Sequence, residues 1–523
     1  MWLLIPPRVR RRKTCSGNKG RATHARGKRP VRLAVERLED RVLLDADILG
    51  GFAGLRFEDD PRYVPPDTHA AAGPQHIVEV ANASVAFFDK ATGSRIFLQT
   101  LDEFFRPLNA SVGKVFDPKV AYDELAQRFI VITLEVDFSR QTSFLLLAVS
   151  DDSNPVGSWE MQRINVEDGN GTNWGDYPGL GWDADAIYVT LNMFQWNGGF
   201  DHVSIITIDK ASVTDGNPGT LTFFDVDRPG TQFFTMQPAV MHEATPGAAM
   251  YFVTADFGTS NRIQVTRMTN KLNATPTFQD VSVTVNTYRF PPLADQPGGG
   301  RLRTNDTRIL NAEWRQNRLV ATHNIGIFGD NDAHVRWYEL DTSGPGVTLV
   351  QQGTLDPGPG IDTWMPAIAI NTQMAIGLVY MQSSTNEFMS VYVTARTIAD
   401  PLGTMQNPVR VKAGEATYVS SLYRTGDYSG LTVDPVDGVS FWGASEYATS
   451  SSWTNWGTWI AHFSTCTPNN PPTLIDDNVT VPEDSILTFD PTSNDSDPDG
   501  DVLTIVRVTQ PANGSVTIIN NGR

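Results

Sequence analysis

The sequence predicts an all-β chain whose body is a seven-bladed β-propeller, and two observations predict it. The first is a strand-opening phrase that recurs along the chain: Asp67-Thr68-His69-Ala70, Asp117-Pro118-Lys119-Val120, Tyr177-Pro178-Gly179-Leu180, Gln237-Pro238-Ala239-Val240, Asp306-Thr307-Arg308-Ile309, Met365-Pro366-Ala367-Ile368 and Tyr428-Ser429-Gly430-Leu431. Counted from the second residue of each phrase, the intervals are 50, 60, 60, 69, 59 and 63 residues, room for four short strands and their turns. The second is composition: 43 Gly, 33 Pro and 51 aromatic residues suit many short strands and turns, and no long stretch beyond the N-terminus sustains a helical period. Six or eight blades are the alternatives.

Each phrase is followed by a second apolar run across a polar or Gly-containing turn, at 77–80, 129–132, 186–189, 249–253, 318–321, 375–379 and 439–442. That is hairpin spacing. Third strands are visible at 143–149 and 202–208. A late apolar segment at 459–463 and an early one at 55–57 are placed to complete the last blade, closing the ring and removing its sheet edges. The expected organisation is a basic leader with a short amphipathic helix over 1–46, the propeller over 55–466, a Pro/Asn linker over 467–472 and a further module over 473–523.

Charge divides unevenly along the chain. Residues 1–45 hold 13 Lys and Arg against Glu36, Glu39, Asp40 and Asp45, a net of +9, so the total of −18 leaves −27 for the rest. An acidic body repels nucleic acid and anionic membrane, and suits solubility or divalent cations. The opening apolar run, residues 1–5, stops at Pro6-Pro7, short of a secretory-signal core, and no stretch reaches the length of a membrane span. Cys15 lies in the leader and Cys466 borders the linker, so loss of the leader leaves one unpaired thiol.

Val31, Val35, Leu38 and Val42 share one helical face. Within that helix Leu38, Glu39, Arg41, Leu43 and Leu44 match, and Asp40 departs from, the LEPR-x-LL leader of large bacterial surface and exported proteins, which this segment resembles. The resemblance implies export.

At the other end three phrases follow in order: Ile475-Asp476-Asp477 leading to Glu483-Asp484, then Asp495-Ser496-Asp497-Pro498-Asp499-Gly500-Asp501, then Thr509-Gln510-Pro511-Ala512-Asn513-Gly514. They resemble the cadherin-like, Ig-like β-sandwich repeats of bacterial adhesins, and the chain is expected to hold only part of such a module. Four carboxylates at alternate positions supply hard oxygen ligands at the density Ca²⁺ needs, while the flexible coordination shell of Ca²⁺ tolerates a loop. Asp495, Asp497, Asp499 and Asp501 are the candidate ligands, and the resemblance adds Glu483 and Asp484. A solvated acidic turn is the plainer alternative.

Within the propeller, Asp67, Asp117 and Asp306 open their phrases, while Asp176 and Asp427 stand one residue before Tyr177 and Tyr428. A propeller gathers such positions around one mouth of its channel, where carboxylates can hold a cation, face a ligand or simply fix turn backbone. The segment 149–159 resembles the Asp-box turn of sialidase propellers, which is structural even there. Enzyme motifs are scarce: His242-Glu243 has no second His at helical spacing, and neither a Gly-x-Ser-x-Gly elbow nor a phosphate loop occurs. His202 and His462 read as structural strand residues. The sequence therefore points to a secreted or cell-surface protein that binds an extracellular glycan or protein ligand through propeller loops. A glycan- or polymer-cleaving hydrolase with its site at the propeller mouth, and a structural surface-layer spacer, are the alternatives.

Overall fold

The computed structural model describes residues 45–59, 64–110, 114–167, 171–214, 221–420, 422–450 and 454–465, and parts of 472–519. The leader, apart from Asp45 and Ala46, and both cysteines lie outside the described residues. Among the described residues no helix is long and apolar enough to cross a membrane.

The body is all-β and built of up-and-down meanders set around an axis as a propeller-like ring. Five of its sheets are separate four-stranded blades, and the sixth sheet has nine strands. In the nine-stranded sheet two four-stranded meanders, 173–229 and 309–355, are bridged by the strand Val240–His242. That strand pairs in parallel with Asn173–Trp182 through Trp182 and Val240, and with Ile309–Arg315 through three residue pairs. Its own meander, 237–288, keeps only Gln237 and Pro238 in the ladder to Met250–Ala255. The inner strand of that blade thus leans onto both neighbours.

Closure uses the front of the chain. The strand Asp47–Arg56 pairs antiparallel with Trp456–Ser464 and becomes the outermost member of the last sheet. It begins ahead of the apolar triplet at 55–57 because Gly50, Gly51 and Gly54 break its apolar pattern. A Cβ at Gly54 would overlap the Glu79 carboxylate and the Thr458 hydroxyl, so the close approach of this strand requires glycine.

Burial explains the sequence style. Middle strands are covered on both faces by neighbouring blades, so Arg128–Asp137 and Ile376–Ser384 are almost continuously buried and read as unbroken apolar runs. Outer strands alternate, as Thr277–Tyr288 does. The core lies between adjacent sheets, with Trp182, Trp337, Trp364 and Trp456 among its largest buried side chains.

The C-terminal segment is different. Among the described residues of 472–519 a single bridge joins Thr473 and Ser496, and the apolar Leu474, Ile475, Ile486 and Phe489 stay exposed.

Candidate functional site

Every inner strand begins at the same mouth of the ring, and its first residues are conformationally special. Asp67, Asp117, Tyr177, Thr235, Asn305 and Met365 have φ between +48° and +63°, the left-handed region that side chains ordinarily avoid. Asparagines hold three of them there. The Asn82 Oδ1 accepts from the Asp117 amide at 2.7 Å, Asn192 from Thr235 at 2.8 Å and Asn324 from Met365 at 2.8 Å. Each Asn lies on or just after the second strand of the preceding meander, so it locks one blade to the next.

From these turns a polar hub fills the mouth. The Asp427 amide donates to Asp67 Oδ1 at 2.7 Å, and Asn82 Nδ2 donates to Asp67 Oδ2 at 2.6 Å. Tyr177 donates its hydroxyl to the Asp427 carbonyl at 3.0 Å, and Tyr428 to the Pro118 carbonyl at 2.9 Å. Arg424 Nη2 reaches both oxygens of Asp427 at 2.6 Å. Arg308 grips Asp306 at 2.6 and 2.9 Å while its guanidinium lies 4.0 Å above the Tyr177 ring, and the Lys119 ammonium sits 4.2 Å above Tyr428. Behind the hub the channel narrows to about 30 Å³, with His69, Lys119, Tyr122, His242, Asn311 and Glu313 on its walls. That is room for about one water.

Carboxylates outnumber cations here, and the consequence is electrostatic. Burial raises Asp117 to about 8, with the charges of Asp176 and Asp427 adding and Arg424 opposing. Burial raises Asp176 to about 6 against the pull of Arg308. Asp67 and Glu446 are both raised well above the carboxylate range, again chiefly by burial. Both Glu446 oxygens are buried without a partner in ordinary hydrogen-bond geometry; the Thr68 amide and hydroxyl are its nearest support. Lys119 falls to about 8 through burial, with Asp117 and Asp67 opposing. The mouth therefore holds protonated and ionised groups side by side, an acid–base arrangement, but in a space closed to all but water.

The opposite mouth is composed differently. His242 donates through Nδ1 to Glu124 at 3.1 Å and through Nε2 to Glu313 at 3.3 Å, which makes it an imidazolium clamped between two carboxylates. Burial alone would lower its pKa, yet Glu124 and Glu313 outweigh burial and raise it to about 9. Arg315 pairs with Glu243 beside them. Glu313 also accepts from the Ile370 amide at 2.9 Å.

On the hub face an aromatic arc crosses four successive meanders. Phe138, Trp196, Phe257 and Phe328 each fall within two residues after the second strand of their meander, at the end where the inner strands begin. Rings from the inner-strand entries link them. Phe138 meets Trp174 at 5.0 Å, Trp174 meets Phe194 at 5.6 Å, and the line continues through Phe200 and Phe234 to Phe257 at 5.2 Å and Phe290 at 4.9 Å. Arg289 lies 6.0 Å from the Phe328 ring. Phe138, Phe257, Phe290 and Phe328 are 59, 56, 44 and 64% exposed, and Arg308, 5.3 Å from Phe234, ties the arc to the hub.

Two other places were weighed. The larger cavity, about 460 Å³, is an open groove at the outer rim walled by Phe87, Phe97, Phe104 and Trp159. Its charged residues Glu103 and Arg106 face each other at 3.8 Å. Trp159 closes the turn after Asp151 by donating to the Pro155 carbonyl at 2.9 Å, so the 149–159 segment is a packed turn. Asp434, Asp437 and His462 bring ligand atoms within 4.8 Å of one another. However, Lys90 holds Asp434 at 2.7 Å, the Trp442 indole donates to its other oxygen at 2.9 Å, and His462 meets the Ser440 hydroxyl at 2.9 Å. His202 pairs with Asp201 at 2.9 Å.

The sequence-predicted residues divide. Asp67, Asp117, Asp176 and Asp427 come together in the hub, while Asp306 is absorbed by Arg308. Of the candidate calcium ligands, Glu483, Asp497, Asp499 and Asp501 lie outside the described residues. Asp495 accepts from the Ile475 amide at 2.7 Å, and Asp484 is an exposed turn residue with φ +60°.

Residues 469–523 match the bacterial Ig domain family. No curated protein matches the chain. Similar solved structures include the phage phi92 endosialidase, 9% identical over 87% of this chain and 79% of that one, with a TM-score of 0.39. A thermostable family-43 glycoside hydrolase is 11% identical over 69% of this chain and 95% of that one, with a TM-score of 0.31. The WD40 domain of SCAP from fission yeast is 9% identical over 80% of this chain and 95% of that one, also with a TM-score of 0.31. At these scores the likenesses carry no argument about activity.

Proposed function

We propose that this is an exported or cell-surface modular protein that binds an extracellular glycan or protein ligand through the hub-face turns of a seven-bladed propeller. The observation that carries the reading is the contrast on that face: the channel mouth is plugged by its own side chains, whereas the surrounding turns present exposed rings. The blade count of seven takes the two meanders of the nine-stranded sheet as two blades, joined only through Val240–His242. Export is supported by the leader resemblance and by the bacterial Ig domain match. The test is an array of glycans and matrix proteins probed with the purified chain, with and without Ca²⁺. Silence on every spot in both conditions would sink the binding reading.

In this reading Asp495, Asp497, Asp499 and Asp501, with Glu483 and Asp484, bind Ca²⁺ and stiffen a cadherin-like stalk by neutralising clustered charge. The expected dissociation constant is that of an extracellular site, roughly 10⁻⁴–10⁻³ M. Calorimetry with Ca²⁺ on the chain and on an Asp497→Asn/Asp499→Asn variant tests it. Heat that survives in the variant would rule out this loop.

A hydrolase is the second reading, favoured by one observation: Asp117 and Asp176, raised to about 8 and about 6, lie beside Asp427. Any product released from an array hit and abolished by Asp117→Asn would establish it.

A further inference from the structure

We infer that the aromatic arc from Phe138 to Phe328 is a stacking track for a neutral polysaccharide strand. The inference rests on the binding reading above and names its ligand class and its residues. Three features of the molecule converge on it.

The arc is made of rings. Where four meanders in succession turn from second to third strand, each supplies an aromatic residue to the same face, and the linking rings keep centroid spacings of 4.9 to 6.0 Å from Phe138 to Phe290. A pyranose presents C–H groups on its ring face and hydroxyls at its edge. Flat aromatic surfaces at roughly the repeat of one sugar ring therefore meet the faces, and polar side chains alongside meet the edges. Asp256 and Arg262, paired at 2.6 Å, and Asp330, bonded to His334 at 3.0 Å, flank the arc in the same turns.

The rings are exposed at a cost. Phe138, Phe257 and Phe328 are each more than half exposed at turn positions that any polar residue would fill without loss of fold. Large apolar side chains held out in a contiguous line mark a contact surface rather than a core.

The charge of the body selects the ligand. With −27 outside the first 45 residues, a polyanionic strand is repelled over most of the surface, whereas an uncharged one is not.

The experiment is affinity electrophoresis of the full chain through gels containing hydroxyethylcellulose, xyloglucan or galactomannan, with alginate and hyaluronan as anionic counterparts. Retardation is expected in at least one neutral polymer and in neither anionic one. The Phe138→Ala/Phe257→Ala variant should lose about tenfold in affinity, the worth of one to two stacking contacts, with its melting temperature kept. Ile398→Ala, which removes an exposed apolar side chain outside the arc, should behave as wild type. Quenching of fluorescence from Trp174 and Trp196 on polymer addition should follow the same order. Undiminished retardation of the double variant overturns the track but leaves the binding reading standing. Retardation by the anionic polymers alone, or capture by matrix proteins with none by any polysaccharide, does the same. Silence of both gels and array ends both.

Discussion

The two mouths of the ring use the same kinds of side chain to opposite effect. Where the inner strands begin, Asp67, Asp117, Asp176, Asp427 and Glu446 face Lys119 and Arg424, with Arg308 committed to Asp306, and burial forces several of the carboxylates to keep their protons. Where the strands end, each charge has a partner: His242 stands between Glu124 and Glu313, and Arg315 meets Glu243. Glu124 is accordingly held below the usual carboxylate range, because His242 and Arg315 outweigh its burial. The difference teaches that equivalent places in a repeat need not share an electrostatic design. One mouth is stable through protonation and the other through pairing.

The largest effect is expected at the paired mouth. His242→Leu would strand Glu124 and Glu313, the latter 2% exposed, without their cation. Removing one partner of a buried ion pair costs about 3–5 kcal/mol, so chemical denaturation at pH 7 should show a loss of that order. A loss below about 1 kcal/mol would break the comparison, since it would mean that water already solvates this mouth.

Next comes pH. The folded pKa of Asp117 lies above its unfolded value, so its contribution is fully present below pH 3.8 and is lost as pH rises through about 8. His242 is also raised, so its contribution is full below 6.5 and lost as pH rises through about 9. The two mouths therefore weaken in different windows. Asp117→Asn should equal wild type at pH 4 and exceed it by on the order of 2 kcal/mol at pH 9, because the variant has no proton to lose. Lys119, lowered to about 8, works in the opposite sense above that pH in both proteins, and the difference between them cancels it to first order. A difference curve that is flat from pH 4 to 9 would show that Asp117 titrates normally.

Legibility from sequence follows the distance over which a partner must be found. The recurring phrases mark the inner strands, and their acidic residues mark the hub, because both are periodic in the chain. The cations lie inside the same phrases, as Lys119 and Arg308, but nothing in a linear pattern says that Arg308 crosses to Tyr177 or that Tyr428 reaches Pro118. The Glu124–His242–Glu313 clamp draws on three separate repeats and shows only in three dimensions. His242-Glu243 has meaning as the end of an inner strand, not as half of a metal motif. The arc was visible in principle, since Phe138, Trp196, Phe257 and Phe328 recur at one position of successive repeats. Each alone looks like an ordinary turn residue. Val240–His242 hides for a physical reason: a three-residue apolar strand reads the same whether it pairs within its own blade or, as here, with the neighbours.

The smallest effect separates geometry from charge at the hub. Tyr428 is buried, and its hydroxyl makes one neutral bond across the ring, to the Pro118 carbonyl at 2.9 Å, while its ring lies under the Lys119 ammonium. Tyr428→Phe deletes the bond and keeps the ring. If the hub is held mainly by its protonated carboxyls and backbone bonds, the loss should be that of a single neutral hydrogen bond, about 1 kcal/mol, and independent of pH from 5 to 9. Tyr428→Leu removes the cation–π partner as well and should cost more at pH 6, where Lys119 is charged, than at pH 9, where it has largely lost its proton. Equal losses for Leu at the two pH values would mean that the ring matters only as volume, and the hub would then differ from the opposite mouth in packing rather than in charge.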